Sequence, residues 1–501
     1  MLSILVCHSY FMRFDSKQQQ RAKPYPPLAT LQAASLLRAA GHDVSLFDAM
    51  LASGVEEYHV LLRERQPQVV LLYEDNYNFL SKMCLGKMRH AACEMIGAAH
   101  QGGARVIAAG SDASDSPDTY LRAGADAVLI GEGLAALLEL IPRLDANLLT
   151  GRKELIAGLA GVATLVGGNV TTAKAARVLP NPQQPDLPAW DLVDMDRYRA
   201  VWRDAHGYFS LNMAASRGCP FRCNWCAKPI WGNQYLQRTP GSVAQEMTHL
   251  KQAFQPDHIW FADDIFGFRA DWVTEFAQAL RSTGGSVPFT IQTRADLTSE
   301  RMAGALREAG CREAWLGAES GSQKVLDAMN KGTTVTEILT ARDRLKAVGI
   351  RVGFFIQLGY LGEELPDIVA TRELIRAARP DDIGVSVSYP LPGTKFYDLV
   401  REQLRGKTHW QESNDLAMMF EGAYTSEFYR QVRNLLHEQV VQQSGTVECP
   451  GAAADRPGSP GGAGGPAGPD RLPRGLETRW DELLSCEAQF RSQSFETARA
   501  L

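Results

Sequence analysis

Hydrophobic positions in the first 140 residues follow two alternating rhythms. Short apolar runs, "SILVC", "DVSLFDA", "QVVLLYED", "ARVIAAGSD" and "DAVLIGEG", are separated by stretches in which apolar residues recur every three or four places. "PLATLQAASLLRAAGH" is such a stretch, and Gly41 supplies its stop. Five strands alternating with helices predict a doubly wound parallel sheet, which binds ligands beyond the carboxyl ends of its strands. Those ends read "CHSY", "FDA", "YEDN", "GSDAS" and "GEG". They form a polar, glycine-bearing rim that nominates Ser9, Asn76, Gly110, Ser111, Gly131 and Glu132 as binding residues. Glycines at such places also serve plain turns, and pattern alone leaves both readings open.

The rhythm changes after residue 145. Residues 146–207 read as a connector: "ATLVGGNVTTAK" predicts a hairpin with a glycine-asparagine turn, and "LPNPQQPDLPAWD" an extended proline-rich link. A second βα series fills residues 208–400, with strands "YFSLNMAAS", "HIWFADD", "FTIQTRA", "EAWLGAES", "RVGFFIQLG" and "DIGVSVSYP". Six units are too few for a closed eight-stranded barrel and enough for a partial one. The expected class is thus α/β: a flavodoxin-like doubly wound sheet, then a partial (β/α)6 barrel of TIM type. Residues 401–443 read as terminal helices, 444–475 as a disordered Gly/Pro-rich linker, and 476–501 as holding one short helix.

Composition narrows the function. A formal net charge of −5 and a pI near 6.1 leave no basic footprint for nucleic acid. No apolar run approaches the roughly 18 residues of a membrane span, and "MLSILVCHSYF" reads as a strand, not a signal peptide. Six of the nine cysteines are scattered, unlike a disulfide framework, which points to a reducing, cytoplasmic setting.

The other three, Cys219, Cys223 and Cys226, sit together in "SRGCPFRCNWCAKPIWG" as C-x3-C-x2-C, in a loop after a predicted strand. Structural zinc wants a fourth ligand, yet no histidine lies between 207 and 248. Catalytic zinc on three thiolates would lack a neighbouring general base. A [4Fe–4S] cluster held by three cysteines keeps one iron open for a substrate to coordinate. Three ordinary buried thiols fit poorly beside Pro220, Arg222, Asn224 and Lys228. Polar residues also recur at successive strand ends of the second series: Asp263 and Asp264, Arg294, Glu319 and Ser320, then Gln357. Ion pairs closing a partial barrel would explain Asp264 with Arg294, but less well the serial placement.

C-x3-C-x2-C with an aromatic residue, Trp225, before the last cysteine resembles the signature of radical S-adenosylmethionine enzymes. The resemblance implies that the open iron is chelated by S-adenosylmethionine, whose reductive cleavage yields a 5′-deoxyadenosyl radical. It also implies a low-potential electron donor such as flavodoxin or ferredoxin. "FADD" occupies the place of the segment contacting the methionyl amine. "GAESGSQKVLDAMNKGTT" is similar to the fourth-strand segment, and "SYPLPGTKFYD" to the sixth. Trp225, Asp263, Asp264, Arg294, Glu319, Ser320 and Gln357 are accordingly expected around S-adenosylmethionine.

The first domain, 1–145, resembles the cobalamin-binding domain that precedes the radical domain in one large subclass. It lacks the D-x-H-x-x-G motif of a histidine cobalt ligand, because the first-strand loop reads "VCHSYFMRFD". Cobalamin bound without a protein histidine, on the rim named above, is therefore expected. The reaction implied is methylation of an unactivated carbon of a small molecule. An oxidative cyclase like the anaerobic magnesium-protoporphyrin ester cyclase is the alternative, and a non-catalytic cobalamin or cluster sensor the alternative of another class. Transfer RNA methylthiolation would bring a second cysteine-bearing domain and a basic module, neither of which is evident.

Overall fold

The protein is described here by a computed structural model covering residues 1–78, 86–150, 158–173, 187–226, 230–231, 233–404, 416–444 and 474–492. Nearly all of the expected linker (444–475), and residues 174–186 of the proline-rich link, lie outside the described residues.

The first strands are β1 (Ser3–Cys7), β2 (Asp43–Phe47), β3 (Val69–Tyr73), β4 (Arg105–Ala109) and β5 (Ala127–Leu129), parallel in the order β2-β1-β3-β4-β5. This is the flavodoxin-like order, with its switch between β1 and β3. β3 shows why the run is uniformly apolar. Val69, Leu71 and Tyr73 pack into the core holding the helix Leu28–Ala39, while Val70 and Leu72 join the core holding Gly86–Gln101.

The hairpin forms, as β6 (Val162–Val166) and β7 (Asn169–Thr172), but its turn is Gly167–Gly168, one residue earlier than expected. Both glycines adopt positive φ, 57° and 81°, as a two-residue primed turn demands, so Asn169 is free to begin β7. The hairpin is also no separate connector. β6 pairs antiparallel with β5 and extends the first sheet to seven strands.

The second series contains β8 (Ser210–Met213), then a two-stranded ribbon of β9 (Ser216–Arg217) and β10 (Leu236–Gln237). It continues with β11 (His258–Phe261), β12 (Phe289–Thr293), β13 (Cys311–Glu319), β14 (Arg351–Leu358) and β15 (Asp382–Val387). The six main strands are parallel in the order β15-β14-β13-β12-β11-β8, and β8 does not meet β15, so the barrel is open as predicted. On β11, Ile259 and Phe261 are buried; Phe261 lies edge-on to Phe276 of the helix Ala270–Thr283. His258 and Trp260 are half-buried on the other face, where His258 bonds Ser210 and Thr290, each at 2.9 Å.

The amino ends of this sheet are closed by the first domain's own "KPYP" segment. Tyr25 Oη lies 3.2 Å from Ser210 Oγ, and the Asn212 amide donates to the Pro26 carbonyl at 3.0 Å. The Trp202 indole donates to the Pro24 carbonyl at 2.7 Å. Lys23 faces the charges of Asp382 and Glu313 at the strand starts.

The helix Ser426–Ser444 packs against β15 and against the helix Leu365–Ala378. The final helix runs Arg474–Ser485, two residues earlier than the expected boundary, and it is docked, not appended. Leu476, Trp480 and Leu483 are buried, Arg372 stacks over the Trp480 ring at 4.9 Å, and Arg372 pairs with Glu477. Trp480→Ala is expected to lower the free energy of unfolding by about 3–5 kcal/mol in urea titrations. A loss under about 1 kcal/mol would mean the helix is not part of the cooperative fold.

Candidate functional site

The cysteine loop leaves β9 through Gly218, whose φ of 78° and close approach to the Gln234 carbonyl leave no room for a side chain. Cys219 is buried, and Cys223 and Cys226 are half-buried. The loop has no regular structure, and Asn224, between the last two cysteines, fixes it. Its backbone N–H donates to Met329 O at 3.0 Å and its amide to Ala328 O at 2.7 Å. Its side-chain oxygen accepts from Tyr360 Oη at 2.8 Å, and its carbonyl accepts from the Phe396 N–H at 3.0 Å. Asn330 adds a bond to the Arg222 carbonyl at 2.8 Å. The loop is thus held by the segments following β13, β14 and β15.

Two buried cations flank Cys223. Arg294, just past β12, lies 3.7 Å from the Cys223 sulfur and 3.7 Å above the Phe221 ring. Its guanidinium also donates to Asp296 at 2.9 and 3.1 Å and to the Lys331 carbonyl at 2.7 Å, so its partner is Asp296 and not Asp264. Lys331 forms a buried ion pair with Glu319 at 2.7 Å and lies 6.0 Å from the Trp225 ring. Burial works against the Lys331 charge, but Glu319 and Cys223 outweigh it and raise the ammonium's pKa. Glu319 sits at φ 60°, left-handed for a residue with a side chain, beside a register shift in β13. Such a conformation costs on the order of 1–3 kcal/mol and persists only where its surroundings over-determine it. Here Gly317 makes the room: a Cβ there would stand 2.6 Å from Lys331 Nζ and 2.8 Å from Glu319 Oε1.

Asp263 is fully buried and accepts from the Ala215 N–H at 3.0 Å and from the Ser216 hydroxyl, which ties the end of β11 to the entry of the cysteine loop. Asp264 beside it is half-buried. The Ser320 hydroxyl meets Thr371 Oγ1 at 3.2 Å on the helix Leu365–Ala378 and accepts from the Ser322 N–H at 3.1 Å. Gln357 is buried on β14, and its Oε1 has no hydrogen-bond partner among the described residues. Among the described residues no three Cys, His, Asp or Glu side chains already converge on one point. The donor set nonetheless suits an iron–sulfur cluster: three thiols on one short loop, with two cations beside one of them.

The rim of the first sheet faces this loop. Ser9 donates its N–H, at 3.0 Å, and its hydroxyl to Glu74, whose carboxyl burial pushes upward in pKa. Gly110 has φ 143°, and a Cβ there would stand 2.8 Å from Glu74 Cβ. Among the described residues, Asn76 Oδ1, Ser111 Oγ and Tyr10 Oη are buried without hydrogen-bond partners, atoms that a polar ligand would satisfy. His8 is committed elsewhere: its Nε2 meets Asp48 at 2.9 Å, and its Nδ1 accepts from the Tyr10 N–H at 3.3 Å. Glu132 is committed too, because its carboxylate pairs with Arg217. Gly131 keeps φ 78°, and its N–H donates to Ser114 at 3.0 Å.

Sequence reading passed over Lys331, Asn224 and Arg217. Their signal was proximity to the motifs: Arg217 stands two residues before Cys219, Asn224 lies inside the triad, and Lys331 lies in the "MNKG" quoted with Glu319.

Residues 213–375 match the radical SAM superfamily, so the open barrel is a radical SAM domain. The arrangement of a doubly wound sheet ahead of that barrel is similar to the cobalamin-dependent S-adenosylmethionine radical enzyme OxsB, which superposes with a TM-score of 0.65 at 18% identity, covering 87% of this chain and 66% of OxsB. It is 24% identical over 378 residues to an uncharacterized methyltransferase of Pyrococcus horikoshii, covering 74% of this chain and 78% of that one. It is 26% identical over 284 residues to the anaerobic magnesium-protoporphyrin IX monomethyl ester cyclase of Rubrivivax gelatinosus, covering 55% of this chain and only 49% of the cyclase. Among solved structures, the radical S-adenosylmethionine methyltransferase TsrM of Kitasatospora setae, with tryptophan substrate and a SAM analog bound, superposes with a TM-score of 0.64. That match has 18% identity and covers 80% of this chain and 76% of TsrM, which shows a shared fold.

Burial lifts the Asp263 carboxyl to about 7, with the Ser216 and Ala215 hydrogen bonds pulling the other way. The unfolded chain releases this proton near the ordinary carboxylate value of about 4, so the native state binds more protons between there and about 7. Stability from this group therefore falls as pH rises through that window. Asp263→Asn is expected to flatten the decline, read from urea midpoints at about pH 5 and about pH 7. An unchanged slope would show that Asp263 ionises normally.

Proposed function

We propose that this protein is a radical S-adenosylmethionine enzyme that methylates an unactivated carbon of a small molecule with the help of cobalamin. The observation carrying this reading is the meeting of two half-sites. A three-thiol loop flanked by buried cations abuts a rim with unpartnered buried polar atoms, joined to it through Arg217 and Glu132.

When bound, the cluster with S-adenosylmethionine, and cobalamin, supply respectively the hydrogen-abstracting radical and the methyl group. The chain's own part is positional. Cys219, Cys223 and Cys226 would hold three irons and leave the fourth open. Asp263, Asp264, Glu319 and Gln357 would surround S-adenosylmethionine, and the unpartnered Gln357 Oε1 is an acceptor awaiting a donor. Trp225 offers its face at the same place. Arg294 and Lys331 hold positive charge against the Cys223 sulfur, easing electron entry from a low-potential donor such as flavodoxin or ferredoxin. Ser9, Asn76, Gly110, Ser111 and Gly131 would line the cobalamin rim. Both His8 nitrogens are already hydrogen-bonded, which supports a cobalamin site at this rim without His8 as cobalt ligand. The "KPYP" floor closes the barrel's amino end and keeps water from the reacting centre. No helix among the described residues is long and apolar enough to cross a membrane, and thiolate ligands suit a reducing cytoplasm.

The similarity to the cyclase favours oxidative cyclisation as a second reading. After anaerobic reconstitution, the wild type is expected to cleave S-adenosylmethionine to 5′-deoxyadenosine, and Cys223→Ala to lose at least about 100-fold of that rate. Absence of cleavage in the wild type, or cleavage surviving in the variant, would overturn the radical reading. S-adenosylhomocysteine formed alongside deoxyadenosine marks methylation; with a true substrate, deoxyadenosine alone marks cyclisation.

A further inference from the structure

The cysteine loop is tied to the first domain at both of its ends. On the entering side, Arg217 of β9 pairs with Glu132 of the "GEG" rim, and both side chains are under 5% exposed. The Glu132 carbonyl also accepts from the Tyr73 hydroxyl at the end of β3. On the leaving side, the Trp231 ring lies 5.2 Å from the Tyr77 ring. A Cβ on Gly131 would come 3.3 Å from the Ile230 carbonyl, so the two loops touch backbone to backbone. The neighbour of Arg217 in β9, Ser216, is held by Asp263, so one two-residue strand transmits the contact to β11.

A buried ion pair is a poor way to gain stability alone, since well-packed apolar residues do as well. What it provides is directional register: a guanidinium donates to a carboxylate in few geometries, and neither group tolerates separation in a dry interface. We infer that Glu132 and Arg217 are positioning residues that set the span between the rim of the first domain and the cysteine loop. They thereby fix how far the methyl-carrying cofactor stands from the radical-forming one. They act through their mutual contact. The inference rests on the function proposed above.

The test loads the full-length protein with cluster and hydroxocobalamin, reduces both metals, and measures the electron spin relaxation of cobalt(II) cobalamin. The nearby reduced cluster speeds that relaxation steeply with proximity. The wild type should show one uniform enhancement. Glu132→Gln and Arg217→Met should reduce or broaden it at least threefold, with iron and cobalamin content within twofold of wild type, and Arg217→Lys should stay nearer the wild type. In the metal-free protein, Glu132→Gln should speed amide hydrogen exchange of residues 216–226 at least tenfold, leaving β12–β14 unchanged. Relaxation unchanged in both disruptive variants, or exchange confined to the first domain, overturns the inference while the proposed function stands. A wild type that binds neither metal group overturns the proposed function, and this inference with it. Should Glu132→Gln not fold, Arg217→Met and Arg217→Lys carry the same comparison.

Discussion

An irregular loop inside a protein must find partners for every backbone group it buries, and within the segment from Gly218 to Cys226 the described backbone bond is Cys226 N–H to the Cys223 carbonyl at 3.4 Å. Asn224 resolves this by standing in for a strand partner, with its backbone and side chain bonded to three successive barrel segments. Arg217 and Asp263 secure the entry. The thiols are thus presented from a frame whose parts lie more than 100 residues away in sequence, at Ala328, Tyr360 and Phe396. An iron-binding loop held this way has its position set by the whole barrel, as a rigid site requires.

Charge is arranged around this frame with little solvent to screen it. Glu319 neutralises Lys331, and Asp296 neutralises Arg294, so each cation stands beside Cys223 without remaining unpaired. Breaking one such pair would strand its partner's charge in a low-dielectric place. The left-handed Glu319 is held in the same way: Gly317 leaves room, Lys331 supplies the anchor, and the β13 register shift turns the carboxylate toward the cation.

The two βα series were readable because each strand is a short apolar run and each helix has a 3.6-residue period, signals that survive without tertiary context. The cysteine spacing and the strand-end acids were readable for the same reason: they are local. What escaped was long-range. Nothing near Ser320 announces that its hydroxyl belongs to Thr371, fifty-one residues on, or near Glu132 that its carboxylate belongs to Arg217. The hairpin turn slipped by one residue because "GGN" offers two glycine-bearing pairs and only strand register chooses between them. The final helix was visible as a pattern, yet its docking depends on Arg372, which no local rhythm connects to Trp480.

The "KPYP" segment gives the two domains an unequal relationship. The barrel's floor is not encoded by the barrel: Tyr25, Pro24 and Pro26 come from the chain between β1 and β2, and they occupy the Asn212 amide, the Trp202 indole and the Ser210 hydroxyl. A gene fragment beginning after the first sheet would encode a cup with a hole in its base and three polar groups facing water. Parting the barrel from the first sheet would therefore strip these three groups of the partners they have in the intact chain.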